Sequence, residues 1–207
     1  MPINNNDILI ATTNPGKVSE IQSCLGKEFT LHNLKEFASI QEIEEDGKTF
    51  EENARKKAIG YSKATGHLTL ADDSGLVIDA LNGAPGVKSA RFSGDKLPNE
   101  ERTLIDHRNI KKVLELLIDV PAEKRTARFV CCMCLAKSDE ILIETRGTLE
   151  GIIIEEEIGT NGFGYDPIFF VPSLNKTVAQ LNQDEKNIIS HRGNALKNLK
   201  EQMKNIF

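Results

Sequence analysis

Residues 8–17 read Ile8-Leu9-Ile10-Ala11-Thr12-Thr13-Asn14-Pro15-Gly16-Lys17. The apolar start predicts a short buried strand, the polar middle predicts a loop, and a helical pattern runs from Lys17 to about Leu25. Strand, loop and helix in this order form many phosphate-binding sites, because the amides at a helix start attract anions. The stretch therefore predicts an α/β fold with a candidate phosphate loop, and a plain strand-to-helix turn stays the alternative.

The loop is not a Walker A loop. That motif would require glycine at Ala11 and Ser or Thr at Val18, so the hydroxyl that binds magnesium in such loops is missing. The threonine hydroxyls, the Asn14 amide, the free loop amides and the Lys17 ammonium still suit triphosphate oxygens.

The composition is that of an ordinary soluble globular protein. The chain has 207 residues, 39% hydrophobic and 28% charged, so we expect one domain with two lobes. The net charge is -5 and the basic residues are spread along the chain, which argues against nucleic acid as a partner but allows a small anionic ligand. No stretch approaches the length of a membrane span.

The cysteines predict a reduced, cytoplasmic protein. Cys131, Cys132 and Cys134 fall in an apolar strand-like run with no paired histidine nearby. A zinc site needs four converging ligands, so reduced core thiols are the favoured interpretation. Residues 1–7 also lack the basic start and apolar run of a secretory signal.

Further strands and helices follow from periodicity and capping. Thr49 and Glu52 have capping-box spacing, which predicts a helix from Thr49 to about Thr65 that ends at Gly66. Strands are predicted over residues 68–71, 76–81, 126–136, 141–145 and 151–154, and helices over 99–118 and 182–204, the latter weakened at Gly193. The inward residues of the helix over 99–118 are expected to be Leu104, Ile105, Val113, Leu114 and Leu117.

Asp72 and Asp73 follow the strand predicted over residues 68–71. Adjacent residues on a strand point to opposite faces, but we expect a turn through Ser74-Gly75 to bring both carboxylates towards one site. Magnesium prefers such oxygen ligands. A solvated turn is the alternative and is more common for an isolated Asp-Asp pair.

A second acidic run lies upstream. It contains Glu42, Glu44, Glu45 and Asp46, just before the helix that carries Asn53 and Lys57. The last two are four residues apart and so share one side of that helix. The run could be a solvated face, or it could add metal-binding carboxylates to the Asp pair.

The glycine-rich segment over residues 159–167 predicts a backbone shaped for close approach to a ligand. Phe163 and Tyr165 could stack on a base, and Lys186, His191 and Arg192 could donate to its ring carbonyls. Ordinary helix-surface positions are the alternative for the last three.

Together these segments resemble the inosine triphosphate pyrophosphatases, also described as non-standard purine nucleoside triphosphate (dITP/XTP) pyrophosphatases. The resemblance runs nearly end to end. It is carried by residues 11–17, 49–54, 71–76, 89–94, 162–169 and 190–193.

The resemblance implies a mixed, elongated central β-sheet flanked by helices, two lobes around a substrate cleft, and a homodimer. It implies Mg2+-dependent cleavage of purine nucleoside triphosphates (ITP, dITP and XTP) to the nucleoside monophosphate and pyrophosphate, which cleanses the nucleotide pool. The rival interpretations are a nucleotide sensor without catalysis, and a different nucleotide hydrolase that acts on dUTP or a standard triphosphate or that releases orthophosphate.

By motif, the resemblance also implies roles for individual residues. The expected substrate-binding residues are Thr12, Thr13, Asn14, Pro15, Gly16, Lys17, Ser74, Phe163, Gly164, Tyr165, Asp166, Lys186, His191 and Arg192. Glu44 and Asp73 are the expected magnesium ligands, with Glu45 as the alternative to Glu44. Asp73 also matches the proton acceptor, with Asp72 and Glu45 as second carboxylates. A carboxylate that ligates magnesium directly is a poor base, so action through a metal-bound water is the alternative. From the chemistry of the cleavage, rather than from the resemblance, we expect Lys17 and Lys57 to stabilise charge on the leaving pyrophosphate.

Overall fold

The computed structural model describes residues 7–25, 29–37, 39–94 and 100–206. Within them, the strands are β1 (Asp7–Ile10), β2 (Thr30–Asn33), β3 (Leu68–Ile78), β4 (Thr126–Lys137), β5 (Glu140–Ile153), β6 (Phe169–Val171) and β7 (Lys176–Thr177). The α-helices are α1 (Pro15–Leu25), α2 (Phe50–Thr65), α3 (Arg102–Leu116), α4 (Gln183–Ile189) and α5 (His191–Met203). The expectation for the chain start over residues 1–6 and the predicted helix start at Asn99 lie outside the described residues.

The strands of this described part form one mixed sheet in the order β2-β1-β3-β4-β5-β6-β7. β1 is parallel to β2 and to β3, whereas β6 is antiparallel to β5 and to β7. The predicted α/β class with a mixed sheet is therefore confirmed. In the same residues, no helix is both long and apolar enough to cross a membrane.

The chain forms two compact units. The first comprises the described residues of 1–73, 131–148 and 190–207, and the second those of 74–130 and 149–189.

In the first unit, the two faces of the sheet pack against different helices. Leu70 belongs to a buried cluster with residues of α1 and α5, whereas its neighbour Ala71 belongs to a cluster with residues of α2. This alternation is the period-two pattern of a strand. Because it continues along β3, it determines where the next two residues point.

The ends of α2 confirm the predicted N-cap at Thr49 and the stop at Gly66, but Glu52 bonds to the Lys48 N–H rather than to the Thr49 N–H of a capping box. The Thr49 hydroxyl accepts the Glu52 N–H at 3.1 Å, and the Glu52 carboxylate accepts the Lys48 N–H at 2.6 Å. Gly66 ends the helix with φ +72°, a left-handed conformation that glycine adopts without strain.

In the second unit, α3 buries Ile105, Ile110 and Val113. Ile110, Val113 and Leu117, the residue after the helix end, share a core with Phe169. Leu104 is 58% exposed, so the prediction that it faces inward is wrong. The buried stripe runs through Ile105 and its neighbours at helical spacing, and the position before Ile105 is rotated about 100° away from it.

β3 does not stop at the Asp pair. The predicted turn at Ser74-Gly75 and the separate strand over 76–81 are wrong, because one strand runs through to Ile78 and residues 79–81 form a 3-10 turn. Gly75 is required here by close packing, since a Cβ at this position would lie 2.6 Å from the carbonyl oxygen of Gly86 and would collide with Ser89.

The terminal helix is interrupted at Ser190 rather than weakened at Gly193. Ser190 has extended backbone angles, and its hydroxyl accepts the Gly193 N–H at 3.0 Å, which starts α5 as a new helix.

The predicted hairpin is confirmed, since residues 138–139 alone join β4 to β5. All three cysteines of β4 are buried, and they and the half-buried Cys24 are free thiols.

Candidate active site

The loop after β1 is shaped by Asn14. Its side-chain Oδ1 accepts the backbone N–H groups of Gly16 at 2.9 Å and Lys17 at 3.4 Å. Its backbone N–H donates to Thr12 Oγ1 at 3.2 Å. The expectation that the loop amides are free is therefore wrong for Gly16 and Lys17, because the Asn14 side chain caps them. What the loop offers a ligand is its threonines and the Lys17 ammonium.

A buried set of charges joins α1, β3 and α5. Asp72 Oδ2 lies 3.0 Å from Lys17 Nζ and 3.1 Å from Arg192 Nη2, and Arg192 also binds Glu20. Burial alone would raise the pKa of Asp72, but Lys17 and Arg192 outweigh it and hold that pKa well below its usual range. Asp72 is therefore a permanent anion that holds Lys17 in place.

Arg192 is 1% exposed and spans two carboxylates, those of Glu20 and Asp72. A guanidinium held in this way suits a supporting role better than direct contact with a base. His191, the first residue of α5, is also buried, at 7% exposure.

Asp73 points to the opposite face of the sheet, towards α2. Its Oδ2 accepts the Asn53 side-chain N–H at 3.0 Å, and its Oδ1 lies 3.9 Å from Lys57 Nζ. The expectation that a turn brings both aspartates to one site is wrong, because β3 stays extended and alternates them. The predicted common side of Asn53 and Lys57 is confirmed.

Electrostatics distinguish Asp73 from Asp72. Burial raises the pKa of Asp73 to about 6, and the nearby Glu45 adds to the rise, while Lys57, Lys17 and Asn53 oppose it. Lys57 keeps its charge despite burial, because Asp72, Asp73 and Glu45 together raise its pKa. Asp73 is thus a buried carboxylate that can take up a proton near neutral pH.

The acidic run places Glu45, rather than Glu44, next to this carboxylate. Glu45 Oε2 lies 3.2 Å from the same Lys57 Nζ that Asp73 approaches, whereas Glu44 is exposed. No group of three or more metal-ligating side chains occurs in the described part of the chain. Two carboxylates nevertheless fit magnesium, which often takes one or two from the protein and completes its shell with water and phosphate oxygens.

In the second unit, the glycine-rich segment over residues 159–167, here called the glycine-aromatic loop, is braced by Asp166. Its Oδ2 accepts the Phe163 N–H at 3.0 Å and bonds to Lys186 Nζ at 2.7 Å. The same ammonium lies 4.5 Å from the centre of the Phe163 ring. Lys186 therefore links Phe163 to Asp166 within the loop, and a side chain on Gly162 would collide with Asp166.

Tyr165 and Gly164 are hydrogen-bonded to residues outside the loop but within the same unit. The Tyr165 hydroxyl donates to the Ser89 carbonyl oxygen at 2.8 Å, and the Gly164 N–H donates to Asp106 Oδ2 at 2.9 Å. Tyr165 is 5% exposed and belongs to the core. Ser74 is half-buried on β3.

The family model described as the Ham1 family matches residues 8–202 of the chain. This chain belongs to the Ham1 family.

Two relatives are similar in sequence to this chain over most of their length. The dITP/XTP pyrophosphatase of Exiguobacterium sibiricum is 51% identical over 93% of this chain and 94% of its own length. The dITP/XTP pyrophosphatase of Halalkalibacterium halodurans is 50% identical over 92% of this chain and 95% of its own.

Solved structures agree with the fold. The Ham1 protein of Staphylococcus aureus has a TM-score of 0.84 at 39% identity, covering 97% of this chain and 100% of that one. A nucleoside-triphosphatase / dITP/XTP pyrophosphatase from Mycobacterium abscessus has a TM-score of 0.74 at 40% identity, covering 93% of this chain and 98% of that one.

Sequence reasoning did not find Glu20, Asp106 or Asn109. The signal for Glu20 was its spacing of three from Lys17, which places both on one side of α1. For Asp106 and Asn109 it was the presence of polar residues on the apolar side of a helix. Such residues need buried hydrogen-bond partners.

Proposed function

We propose that this Ham1 family chain is a magnesium-dependent enzyme that hydrolyses ITP, dITP and XTP to the nucleoside monophosphate and pyrophosphate. The observation that carries the proposal is the buried Asp73 carboxylate, which lies beside Lys57 and Asn53 and has a pKa raised to about 6. Removing such triphosphates keeps non-standard purines out of the nucleotide pool.

The loop after β1 and the helices α1 and α2 supply the groups that bind the phosphate chain. Lys17 and Lys57 are cations held by carboxylates, and Thr12 and Thr13 carry hydroxyls on the adjoining loop. Because Asp72 fixes Lys17 before the substrate arrives, little reorganisation is needed when negative charge develops on the leaving pyrophosphate.

Asp73 accepts the proton from the attacking water. The water oxygen forms a bond to a phosphorus, the bond to the pyrophosphate oxygen breaks, and the water proton passes to the Asp73 carboxylate. The Asn53 N–H donates to Oδ2 and holds the carboxylate orientation. Burial makes this carboxylate more basic, so beside a cation it keeps more of its basicity than a solvated carboxylate would.

Glu45 and Asp73 are the residues that would hold Mg2+, with Glu44 as the alternative for Glu45. When bound, the cation neutralises charge on the phosphate oxygens. It would also lower the pKa of Asp73, so that this carboxylate stays ionised at neutral pH.

The glycine-aromatic loop supplies the proposed base contacts. Phe163 offers an aromatic ring, and Gly164, Tyr165 and Asp166 set the shape of the loop, braced by Lys186. A site that donates to a 6-keto oxygen disfavours the 6-amino group of adenine, because two donors then face each other. A homodimer, implied by the family resemblance, and a cytoplasmic location, supported by the reduced thiols of β4, are further proposals.

The test is a product assay with Mg2+ and a panel of ITP, XTP, dUTP, GTP and ATP. We expect pyrophosphate release, with the highest kcat/KM for ITP and XTP. Release of orthophosphate, or a preference for dUTP, would assign the chain to another class of nucleotide hydrolase. Tight ITP binding without any product would make it a sensor.

A further inference from the structure

The helix α3 carries two polar residues on its buried side. Asp106 is 8% exposed and Asn109 is 2% exposed, and their spacing of three places them on one face. Buried polar groups destabilise a fold unless they are hydrogen-bonded, so their partners indicate what they contribute.

Asp106 holds the backbone of the glycine-aromatic loop. Its Oδ2 accepts the Gly164 N–H at 2.9 Å, and Arg102 Nε lies 2.9 Å from its Oδ1. Gly164 has φ +64°, so the chain takes a left-handed turn at the residue that the carboxylate holds. The charge makes this hydrogen bond stronger than one between neutral groups.

Asn109 holds the loop through Ser89. Its Nδ2 donates to the Ser89 carbonyl oxygen at 3.4 Å, and the same oxygen accepts the Tyr165 hydroxyl at 2.8 Å. Asn109 Oδ1 accepts both the N–H of Ser93 at 2.8 Å and its hydroxyl at 2.7 Å. Asn109 thus fixes the segment on which the Tyr165 side chain is anchored.

We propose that Asp106 and Asn109 are positioning residues for purine binding, through which α3 sets the geometry of Gly164 and Tyr165. The inference rests on the proposed function, because it takes the loop to contact the base. Its consequence is specific: loss of either contact weakens binding of the base and leaves the phosphate-binding residues unchanged.

The first experiment compares Asp106→Ala with wild type. We expect the KM for ITP to rise about 10-fold, with kcat changed by less than about threefold. The inhibition constant of IMP, which contains the base, should rise in parallel, and that of pyrophosphate, which lacks it, should not. An equal loss of affinity for both products would overturn the proposal.

Two further variants distinguish a positioning role of Asp106 from a general loss of protein stability. Asp106→Asn keeps an acceptor for the Gly164 N–H and should recover most of the affinity for IMP, whereas an Asn variant as impaired as Ala contradicts the role. Glu115→Ala is the matched control, since Glu115 is an exposed acid of the same helix and its partner is Lys111. It should behave as wild type.

Tyr165→Phe tests the contact through Ser89. The ring stays in the core while the hydroxyl bond to Ser89 is lost, so the KM for ITP should rise about 3- to 10-fold at nearly constant kcat. An unchanged KM would remove Asn109 from the proposal.

A measurement without substrate keeps this inference distinct from the proposed function. In 15N-labelled protein, Asp106→Ala should speed hydrogen exchange at the Gly164 amide at least about 10-fold relative to Glu115→Ala. If exchange changes but ITP is not hydrolysed, α3 positions the loop and the proposed substrate is wrong. If exchange does not change, Asp106 does not position it.

Discussion

Asp72 and Asp73 are consecutive residues of β3, but their carboxylates lie on opposite faces of the sheet in the first unit. Asp72 pairs with Lys17 and Arg192, and Asp73 with Asn53. Burial affects both, yet nearby cations lower the pKa of Asp72 while the pKa of Asp73 rises to about 6. One residue therefore organises charge, and the other is available for proton transfer.

These different roles predict different outcomes when each aspartate is replaced by asparagine. Asp73→Asn should lower kcat at least about 100-fold, because the proton acceptor is lost. Its free energy of unfolding in metal-free buffer should not decrease, since a neutral amide removes a buried charge. Asp72→Asn should instead lower that free energy by about 3 kcal/mol or more, because Arg192 and Lys17 lose their shared anion.

Denaturant titration and initial-rate kinetics measure the two effects. Near-normal pyrophosphate release by Asp73→Asn would remove this residue from the chemistry. Unchanged stability of Asp72→Asn would show that the buried ion pairs are dispensable.

Magnesium activation should separate Glu45 from Glu44. Glu45→Gln should raise the Mg2+ concentration needed for half-maximal activity about 10-fold, because Glu45 shares Lys57 with Asp73. Glu44→Gln is the matched control, since Glu44 is exposed and adjacent in the chain. The reverse result would restore Glu44 as the ligand.

Replacing Arg192 should affect stability rather than base choice. Arg192→Lys keeps the charge, but an ammonium lacks the separate N–H groups with which the guanidinium binds Glu20 and Asp72 at once. We therefore expect the free energy of unfolding to fall by about 2–4 kcal/mol. The ratio of kcat/KM for ITP to that for GTP should stay within about twofold of wild type. A stable variant with an altered ratio would instead indicate that Arg192 contacts the base.

The raised pKa of Asp73 predicts an unusual pH dependence in metal-free protein. An acid whose pKa is higher in the folded state binds its proton more tightly there, so ionisation opposes folding. The free energy of unfolding should fall as pH rises from about 4 to above 6, by up to about 3 kcal/mol.

The comparison with Asp73→Asn isolates this contribution. The variant should lack the decrease, and added Mg2+ should reduce it in wild type, because the cation favours the ionised carboxylate. Parallel pH profiles for the two proteins without metal would show that Asp73 is not perturbed.

Much of the local structure followed from the sequence. The strand-loop-helix start, the Thr49 N-cap and the Gly66 stop depend on contacts between near neighbours, so the pattern of residue types predicted them. The motifs similarly placed Asp73 and Lys57 in the candidate site. Leu104 was misplaced because a small rotation of a helix decides which of two adjacent apolar residues is buried.

By itself, the sequence determined the α/β class, the strand-loop-helix start and the family to which the chain belongs. Only the tertiary structure decided the partners of the charges, because these contacts join residues far apart in the chain. Arg192 and Asp72 are 120 residues apart in the sequence, and Asn53 and Asp73 are 20 apart, yet each pair is hydrogen-bonded. Such pairings depend on how the helices pack on each face of the sheet, and this packing separated two adjacent aspartates into a structural anion and a candidate proton acceptor.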